Sequence, residues 1–360
     1  MKTLATHRYL VLAEAHFGPQ TSKTANSAVR YLGDRVVAVI DSRHRDRTVE
    51  DVLGFGGGIP IVPGFREGLE RNPTALLIGI APTGGRLPES WRPVLHAAID
   101  AGLDIVSGLH VALSDDPDLS GRAREQGVRL WDLRKEPENL PVSSGLARLI
   151  DAFSVLTVGT DCNIGKMTAA LQIRDSLLGH GARVGFAATG QTGILIEGWG
   201  IAVDAVKADF IGGAAEELVL RAAKGNDVVL VEGQGSLVHP GYSGVTLGLM
   251  HGAVPDAMIL CHQPSRKVVY DSGGACSWVP LPSLTDAIRI NEAALAPLRA
   301  SRVIGISLNT YDLSEAQARA AVEAAEAETG LPATDPVRFD PAPLARAILA
   351  ARDRKMERAA

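Results

Sequence analysis

Short apolar runs alternate with stretches of mixed polarity along the first part of the chain. Arg8–Ala13, Val36–Ile40, Ala75–Ile80, Asp104–Ser107 and Val128–Asp132 are predicted as strands. The intervening stretches Thr21–Leu32, Thr48–Leu53, Trp91–Ala101 and Leu119–Gln126 are predicted as helices. Strand and helix in alternation require right-handed βαβ crossovers and hence a parallel sheet. The polar, proline-containing stretch Glu136–Ser144 interrupts this rhythm and places a boundary, giving an N-terminal domain of residues 1–144 and a C-terminal domain of 145–360. After a short helix at Gly145–Ala152 the rhythm resumes, with strands at Val155–Val158, Arg183–Ala188, Val228–Val231, Ala257–Cys261 and Arg302–Leu308. Helices are predicted after Lys166 as far as Leu178, at Ala214–Ala223, Ser314–Thr329 and Pro343–Ala351. Leu237–Val254 reads as a long low-charge loop and Arg352–Ala360 as a frayed tail.

The second domain opens on its most informative stretch. The apolar β-branched run through Val158 leads into Gly159-Thr160-Asp161-Cys162-Asn163-Ile164-Gly165-Lys166-Met167-Thr168, and helix formers come next. Glycines allow a turn tight enough for successive N–H groups to converge on an anion, while the helix N-terminus and Lys166 add positive charge. This is a phosphate cradle, and it makes the second domain P-loop NTPase-like. Five residues separate its glycines where a Walker A loop has four, and Met167 stands where a magnesium-ligating hydroxyl normally succeeds the lysine. The nearest hydroxyl is that of Thr168. A partner for the loop comes with Val228–Val231, which carries Glu232 to the end of a buried strand, ahead of Gly233-Gln234-Gly235-Ser236. A carboxylate there meets a phosphate-bound metal or takes a proton.

The first domain is Rossmann-like in pattern but has no G-x-G-x-x-G after its first strand. Gly56-Gly57-Gly58 and Ala81-Pro82-Thr83-Gly84-Gly85 are glycine-containing loops elsewhere, so nicotinamide binding has little support. After the first strand the chain instead carries Gly18-Pro19-Gln20-Thr21-Ser22-Lys23-Thr24. Thr21 or Ser22 caps the helix in this reading, leaving Lys23 and unpaired N–H groups for an anion. In the second domain Thr189-Gly190-Gln191-Thr192-Gly193 is a glycine-rich turn at a strand's carboxyl end, with Gln191 a substrate-binding candidate. His239 and His251, in the long loop, are candidate acid/base groups.

Composition narrows the function classes. With 46 % hydrophobic and 21 % charged residues the chain has a globular composition, and its net charge of −5 with 4 % aromatics argues against nucleic acid as a partner. The three cysteines lie far apart and form no metal-ligand spacing, so no resident metal is expected and a reducing cytoplasm fits. No apolar run approaches the length of a membrane span.

The longer phosphate loop and the V-E-G-x-G form resemble the dethiobiotin synthetase branch of P-loop proteins. In that branch an asparagine at a strand end reads the adenine edge, a place that Asn309 occupies here. The ensemble of A-E-x-x-F-x-P-x-T-S-K-T-A at Ala13–Ala25, G-T-D-C-N-I-G-K-M-T and V-E-G-Q-G-S-L-x-H-P covers nearly the whole chain. It resembles a bacterial family that joins a Rossmann-like to a P-loop domain, and within it the D-glutamate (D-glutamine) N-acetyltransferases. The resemblance implies acetyl-CoA as co-substrate, its pyrophosphate held by Gly159, Thr160, Asn163, Gly165, Lys166, Met167 and Thr168 and its adenine by Asn309. Direct attack of the D-glutamate amine on the thioester then calls for a base, with Glu232 first and Asp161 and His239 behind it. Thr21, Ser22 and Lys23 are candidates for the substrate carboxylates. The resemblance further implies a role in D-amino-acid catabolism and a partner enzyme acting on N-acetyl-D-glutamate; a homo-oligomer is expected on general grounds. Two rivals stand beside it. An ATP-dependent kinase or ligase of the dethiobiotin synthetase kind would use Mg2+ and ATP, and a nucleotide-binding switch would turn nothing over.

Overall fold

The computed structural model describes residues 3–19, 21–80, 85–270 and 273–359. The chain forms two compact units, one of Met1–Glu136 with Gln191–Ala205, the other of Pro137–Gly190 with Val206–Ala360. The first unit therefore ends its leading segment at Glu136, ahead of the boundary at 144, and takes back a later segment that the sequence pattern places in the second domain.

In chain order the first unit runs β1 (Tyr9–Leu12), α1 (Lys23–Leu32), β2 (Val36–Ile40), α2 (Val49–Leu53), β3 (Ile61–Val62), α3 (Phe65–Leu69), β4 (Ala75–Ile78), α4 (Arg92–Asp100), β5 (Asp104–Ser107), α5 (Pro117–Gln126) and β6 (Leu130–Asp132). Its sheet is parallel with the order β3-β2-β1-β4-β5-β6, the order of a Rossmann-type sheet. β1 sits at the centre, all four of its residues buried. Of the helix starts, α5 opens two residues before the predicted Leu119. Asp116 accepts from the amides of Asp118 and Leu119, and Pro117 occupies the first helical position, where its missing N–H costs nothing. Ala81, Pro82, Thr83 and Gly84 of the turn after β4, and Gln20 in the stretch before α1, lie outside the described residues.

The second segment continues with β7 (Phe153–Gly159), α6 (Lys166–Gly179), β8 (Val184–Ala187), α7 (Gln191–Glu197), α8 (Ile211–Ala222), β9 (Val228–Val231), α9 (Ser243–Ala253), β10 (Ala257–His262), α10 (Leu284–Leu295), β11 (Arg302–Leu308), α11 (Glu315–Thr329), β12 (Ala333–Thr334) and α12 (Ala342–Ala359). All but α7 belong to the second unit. Its parallel sheet has the order β12-β11-β10-β7-β9-β8, so β7, buried along its whole length, lies between β10 and β9. The phosphate loop thus leaves the middle of the sheet, with the ends of β9 and β10 on either side.

Three expectations are corrected here. Ser243–Ala253 is a helix, not part of a long loop. Its glycines lower helix propensity, yet they let α9 approach α8 more closely than any side chain would allow. A Cβ on Gly252 would lie 2.0 Å from the carbonyl oxygen of Gly212, and one on Gly248 would lie 2.7 Å from Ile211 Cγ2. Gln191, placed in a glycine-rich turn, instead opens α7. The C-terminal tail does not fray: α12 runs to Ala359, pinned where Lys355 Nζ donates to Asp256 Oδ2 (2.9 Å) and to the carbonyl of Ala152 (3.2 Å). Among the described residues no helix is long and apolar enough to cross a membrane.

Candidate active site around the phosphate loop

The loop between β7 and α6 is shaped by two backbone inversions, Asn163 at φ 52° and Gly165 at φ 99°, the latter in the N-cap position of α6. Gly159 allows the return, since a Cβ there would lie 2.8 Å from Ile164 Cδ1 and 3.1 Å from the carbonyl oxygen of Asp161. Lys166 is buried and its Nζ donates to the Asp161 carbonyl at 2.8 Å, which draws the amine across the mouth of the loop. Met167 and Thr168, in the first turn of α6, are half-buried. Thr160 is tied down from β10. Its amide donates to the carbonyl of Cys261, and its hydroxyl pairs with His262 Nδ1 at 2.9 Å. Burial, reinforced by the Lys267 cation, pulls the His262 pKa down to about 4, so this ring is neutral at pH 7. Burial pushes the Cys261 thiol up to about 12, and it is inert beneath the loop.

Asp161, a reserve candidate for the base, is bound on every side. Its Oδ1 accepts the amide of Cys162 (2.7 Å), and its Oδ2 accepts Arg266 Nη1 (2.8 Å) and the amide of Tyr270 (2.9 Å). The side chain has no exposure. Arg266 donates in addition to the Cys162 carbonyl and to Gln263 Oε1. The pair fastens the chain after β10 to the phosphate loop, so the geometry makes Asp161 a brace rather than a proton acceptor.

Glu232 stands at the end of β9, buried, with its Oε2 accepting the amides of Thr189 (2.9 Å) and Gly190 (3.1 Å). The adjoining glycine has no alternative: a Cβ on Gly233 would lie 1.6 Å from the carbonyl oxygen of Thr157 and 3.0 Å from Lys166 Cδ. Ser236 closes the ring by donating its hydroxyl to the Gly159 carbonyl at 2.9 Å. His239 is buried too, and the amide of Gly241 donates to its Nδ1 at 3.1 Å. With Nδ1 an acceptor, the proton of the neutral ring is on Nε2, which faces the Tyr270 carbonyl at 3.4 Å. This tautomer makes His239 a donor at Nε2, not a base there. His239, Asp161 and Cys162 bring their polar atoms within 4.8 Å of one another. His251, by contrast, is on α9 with Nε2 at 2.9 Å from the Ala294 carbonyl, a helix-to-helix contact. Asn309, at the end of β11, flanks the last glycine of the loop: a Cβ on Gly165 would lie 3.7 Å from its Nδ2.

In the first unit, Ser22 takes the N-cap position of α1, but its hydroxyl does not cap the helix. It turns back to the Gly18 carbonyl (2.9 Å) and to Asn26 Oδ1 (2.9 Å), and is buried. Thr21 donates to the His16 carbonyl at 2.5 Å. Both expected hydroxyl caps thus close the preceding loop, while Lys23 is exposed. Gln191 accepts Arg134 Nη1 at 3.0 Å. Sequence reasoning assigned no role to Arg266 or His262 and placed Thr189 only in a glycine-rich turn beside a ligand. The polar run His262-Gln263-Pro264-Ser265-Arg266 directly after a buried strand was the available signal for the first two.

Two domain families match the chain: a domain of unknown function described as the DUF1611 N-terminal Rossmann-like domain over residues 42–136, and the DUF1611 C-terminal P-loop domain over residues 141–345. The chain belongs to the DUF1611 family. A crystal structure of a family member from Anabaena variabilis is similar along 96 % of this chain and all of that one, with TM-score 0.90 at 40 % identity. Among curated relatives, a D-glutamate N-acetyltransferase of Tritonibacter scottomollicae is 42 % identical over 288 residues, 76 % of this chain and 81 % of that protein. A second D-glutamate N-acetyltransferase, of a Pseudoalteromonas species, is 38 % identical over 263 residues, 73 % and 77 % of the two chains.

Proposed function

We propose that this family member is an N-acetyltransferase that moves the acetyl group of acetyl-CoA to the amine of D-glutamate, releasing free coenzyme A. The observation that carries the reading is the 42 % identity to a D-glutamate N-acetyltransferase across 288 residues, together with a phosphate loop of the same chain built to hold an anion. Coenzyme A is an adenine nucleotide with a pyrophosphate, and the loop with Asn309 beside Gly165 offers both an anion cradle and an amide for a base edge.

The donor set favours an activated thioester over Mg-ATP. Magnesium demands oxygen ligands, and a thioether stands directly after Lys166 in Met167. A thioester is already activated, so transfer needs no nucleotide cleavage. In the proposed step the ammonium of D-glutamate first gives a proton to the Glu232 carboxylate, which the amides of Thr189 and Gly190 hold in place. The amine nitrogen then attacks the carbonyl carbon, the tetrahedral intermediate's nitrogen gives up its second proton as the carbon–sulfur bond breaks, the coenzyme thiolate leaves carrying that proton, and the proton on Glu232 is released to solvent. As the oxyanion develops, the Nε2–H of His239 turns to it from the Tyr270 carbonyl, a weak contact at 3.4 Å. The product would pass to an enzyme acting on N-acetyl-D-glutamate in D-amino-acid catabolism.

Purified protein incubated with D-glutamate and acetyl-CoA, without ATP or magnesium and with L-glutamate as control, tests the reading. The expected outcome is D-selective thiol release with a product heavier by one acetyl group, and a fall in kcat of about a hundredfold or more in Glu232→Gln, within the range for a positioned base. No acetylation, with substrate-dependent ADP release once Mg-ATP is added, would transfer the protein to the kinase and ligase class.

A further inference from the structure

Cys162 follows Asp161 in the phosphate loop and, unlike it, is half-exposed. Its Sγ, a carboxylate oxygen of Asp161 and a ring nitrogen of the buried His239 all lie within 4.8 Å of one another, and all three residues belong to the second unit. Thiolate, imidazole and carboxylate are the donors that zinc takes, at ~2.0–2.3 Å each, and tetrahedral bonds of that length set the donors roughly 3.3–3.8 Å apart. Closing the set therefore takes movements on the order of 1 Å. The donors come from two loops far apart in the sequence, so cysteine spacing gave no sign of them. The surrounding chain supports two of them as metal ligands are supported. Asp161 Oδ2 is anchored by Arg266 Nη1 and the amide of Tyr270, while Oδ1, among the described residues, accepts the Cys162 amide at 2.7 Å and keeps a second lone pair. His239 Nε2 faces the carbonyl of the same Tyr270, and metal-bound histidines almost always donate their other N–H to such a group. The exposed side of Cys162 gives an ion a way in.

We propose that Asp161, Cys162 and His239 form an inhibitory site for a thiophilic divalent cation, zinc above all, with the fourth position left to water. The thiol gives its proton to solvent as the metal–sulfur bond forms, and the imidazole binds in its neutral form. Thiolate and carboxylate then balance the two charges of the ion, while Arg266 keeps its bonds to the Cys162 carbonyl and to Gln263. A thiolate in the set selects against magnesium and calcium, which take oxygen ligands. With one ring nitrogen on the ion, His239 can no longer turn its Nε2–H to the oxyanion, and acetyl transfer is lost. That consequence rests on the proposed function; the site itself rests on the three donors alone.

Cobalt(II), a spectroscopic stand-in for zinc, is titrated into the reduced full-length protein. The expected result is a thiolate-to-cobalt charge-transfer band in the near ultraviolet that saturates at one ion per chain and is bleached by zinc. Cys162→Ser should abolish the band, and Cys276→Ser should leave it unchanged. In competition with a chromophoric chelator, His239→Ala should weaken zinc binding by about a hundredfold or more, since losing even a supporting group costs roughly tenfold to a hundredfold. No saturable band in wild-type protein, or a band that Cys276→Ser removes and Cys162→Ser does not, overturns the site; the wild-type and Cys276→Ser spectra decide this even if the Cys162 variant fails to fold. Acetylation of D-glutamate, followed by product mass, then tests the inhibition. Saturating zinc should abolish turnover and excess EDTA restore it, and an unchanged kcat would overturn the inhibitory role. If wild-type protein does not acetylate D-glutamate without zinc, the proposed function falls, and the cobalt spectrum still decides the site.

Discussion

Replacing Asp161 by asparagine tests whether the brace on the phosphate loop is electrostatic. Both carboxylate oxygens face donors, Cys162 N on one and Arg266 Nη1 with Tyr270 N on the other. An amide keeps the shape but turns one of its ends into a donor, so either orientation sets N–H against N–H and loses at least one bond. Arg266 is left without its counter-ion while 14 % exposed, although the Cys162 carbonyl and Gln263 still receive it. Breaking a buried pair from one side typically costs ~3–5 kcal/mol. The remaining acceptors put this case at the lower end, about 3 kcal/mol, equivalent to an equilibrium change of roughly a hundredfold. Amide hydrogen exchange along β7 and urea unfolding both report it, as exchange faster by about that factor and as an earlier transition. Arg266→Met in the Asp161→Asn background should recover part of the loss, giving a coupling of ~1–3 kcal/mol. A loss in Asp161→Asn below ~1 kcal/mol, or strict additivity with Arg266→Met, would refute the brace.

Three further outcomes are expected. Two glycines of α9 should respond with opposite sign. Gly252→Ala, whose Cβ would press on backbone at 2.0 Å, should destabilise by ~1–3 kcal/mol, whereas Gly244→Ala, which meets nothing within 4 Å, should stabilise by up to ~1 kcal/mol; urea midpoints decide. His262, with its pKa drawn from 6.5 to about 4, takes up its proton in the unfolded chain first as pH falls. Stability should therefore decline from about pH 6.5 and level off near pH 4, by at most ~3 kcal/mol, and His262→Gln should flatten that part of a pH series of unfolding curves. Deleting the residues after Arg354 removes the Lys355–Asp256 contact, while Arg299 still neutralises Asp256 at 2.6 Å. A loss of ~1 kcal/mol is expected in thermal or urea unfolding, and no loss would show the last turns of α12 to be dispensable.

Legibility in the sequence is a matter of range. β2, β5 and β11 begin and end at the predicted residues because continuous buried runs mark themselves. The phosphate loop is equally local, its glycines and lysine within seven positions of one another. β3 and β12, with two residues each, are too short to show a period, and α3 has only five. α9 was hidden because its glycines serve close packing against α8, which only the tertiary structure reveals. The site shows the same division. Glu232 declares itself at a strand end, but Arg266 meets Asp161 across 105 positions and Thr189 meets Glu232 across 43. No local pattern encodes such meetings. Ser22 misled because its residue type suits a cap while its neighbours Gly18 and Asn26 supply better partners.

The excursion of Gln191–Ala205 into the first unit also sets an order of assembly during synthesis. Arg134 emerges from the ribosome 57 residues before Gln191 and 70 before Asp204, the two side chains that receive its guanidinium. The phosphate loop and β8 of the second unit are made in that interval. The leading segment therefore waits, one charge unanswered, until the other unit is partly built. A fragment ending at Glu136 would be released from the ribosome with that corner permanently unfinished, which makes 205, not 136, the first residue at which the N-terminal unit exists as a whole.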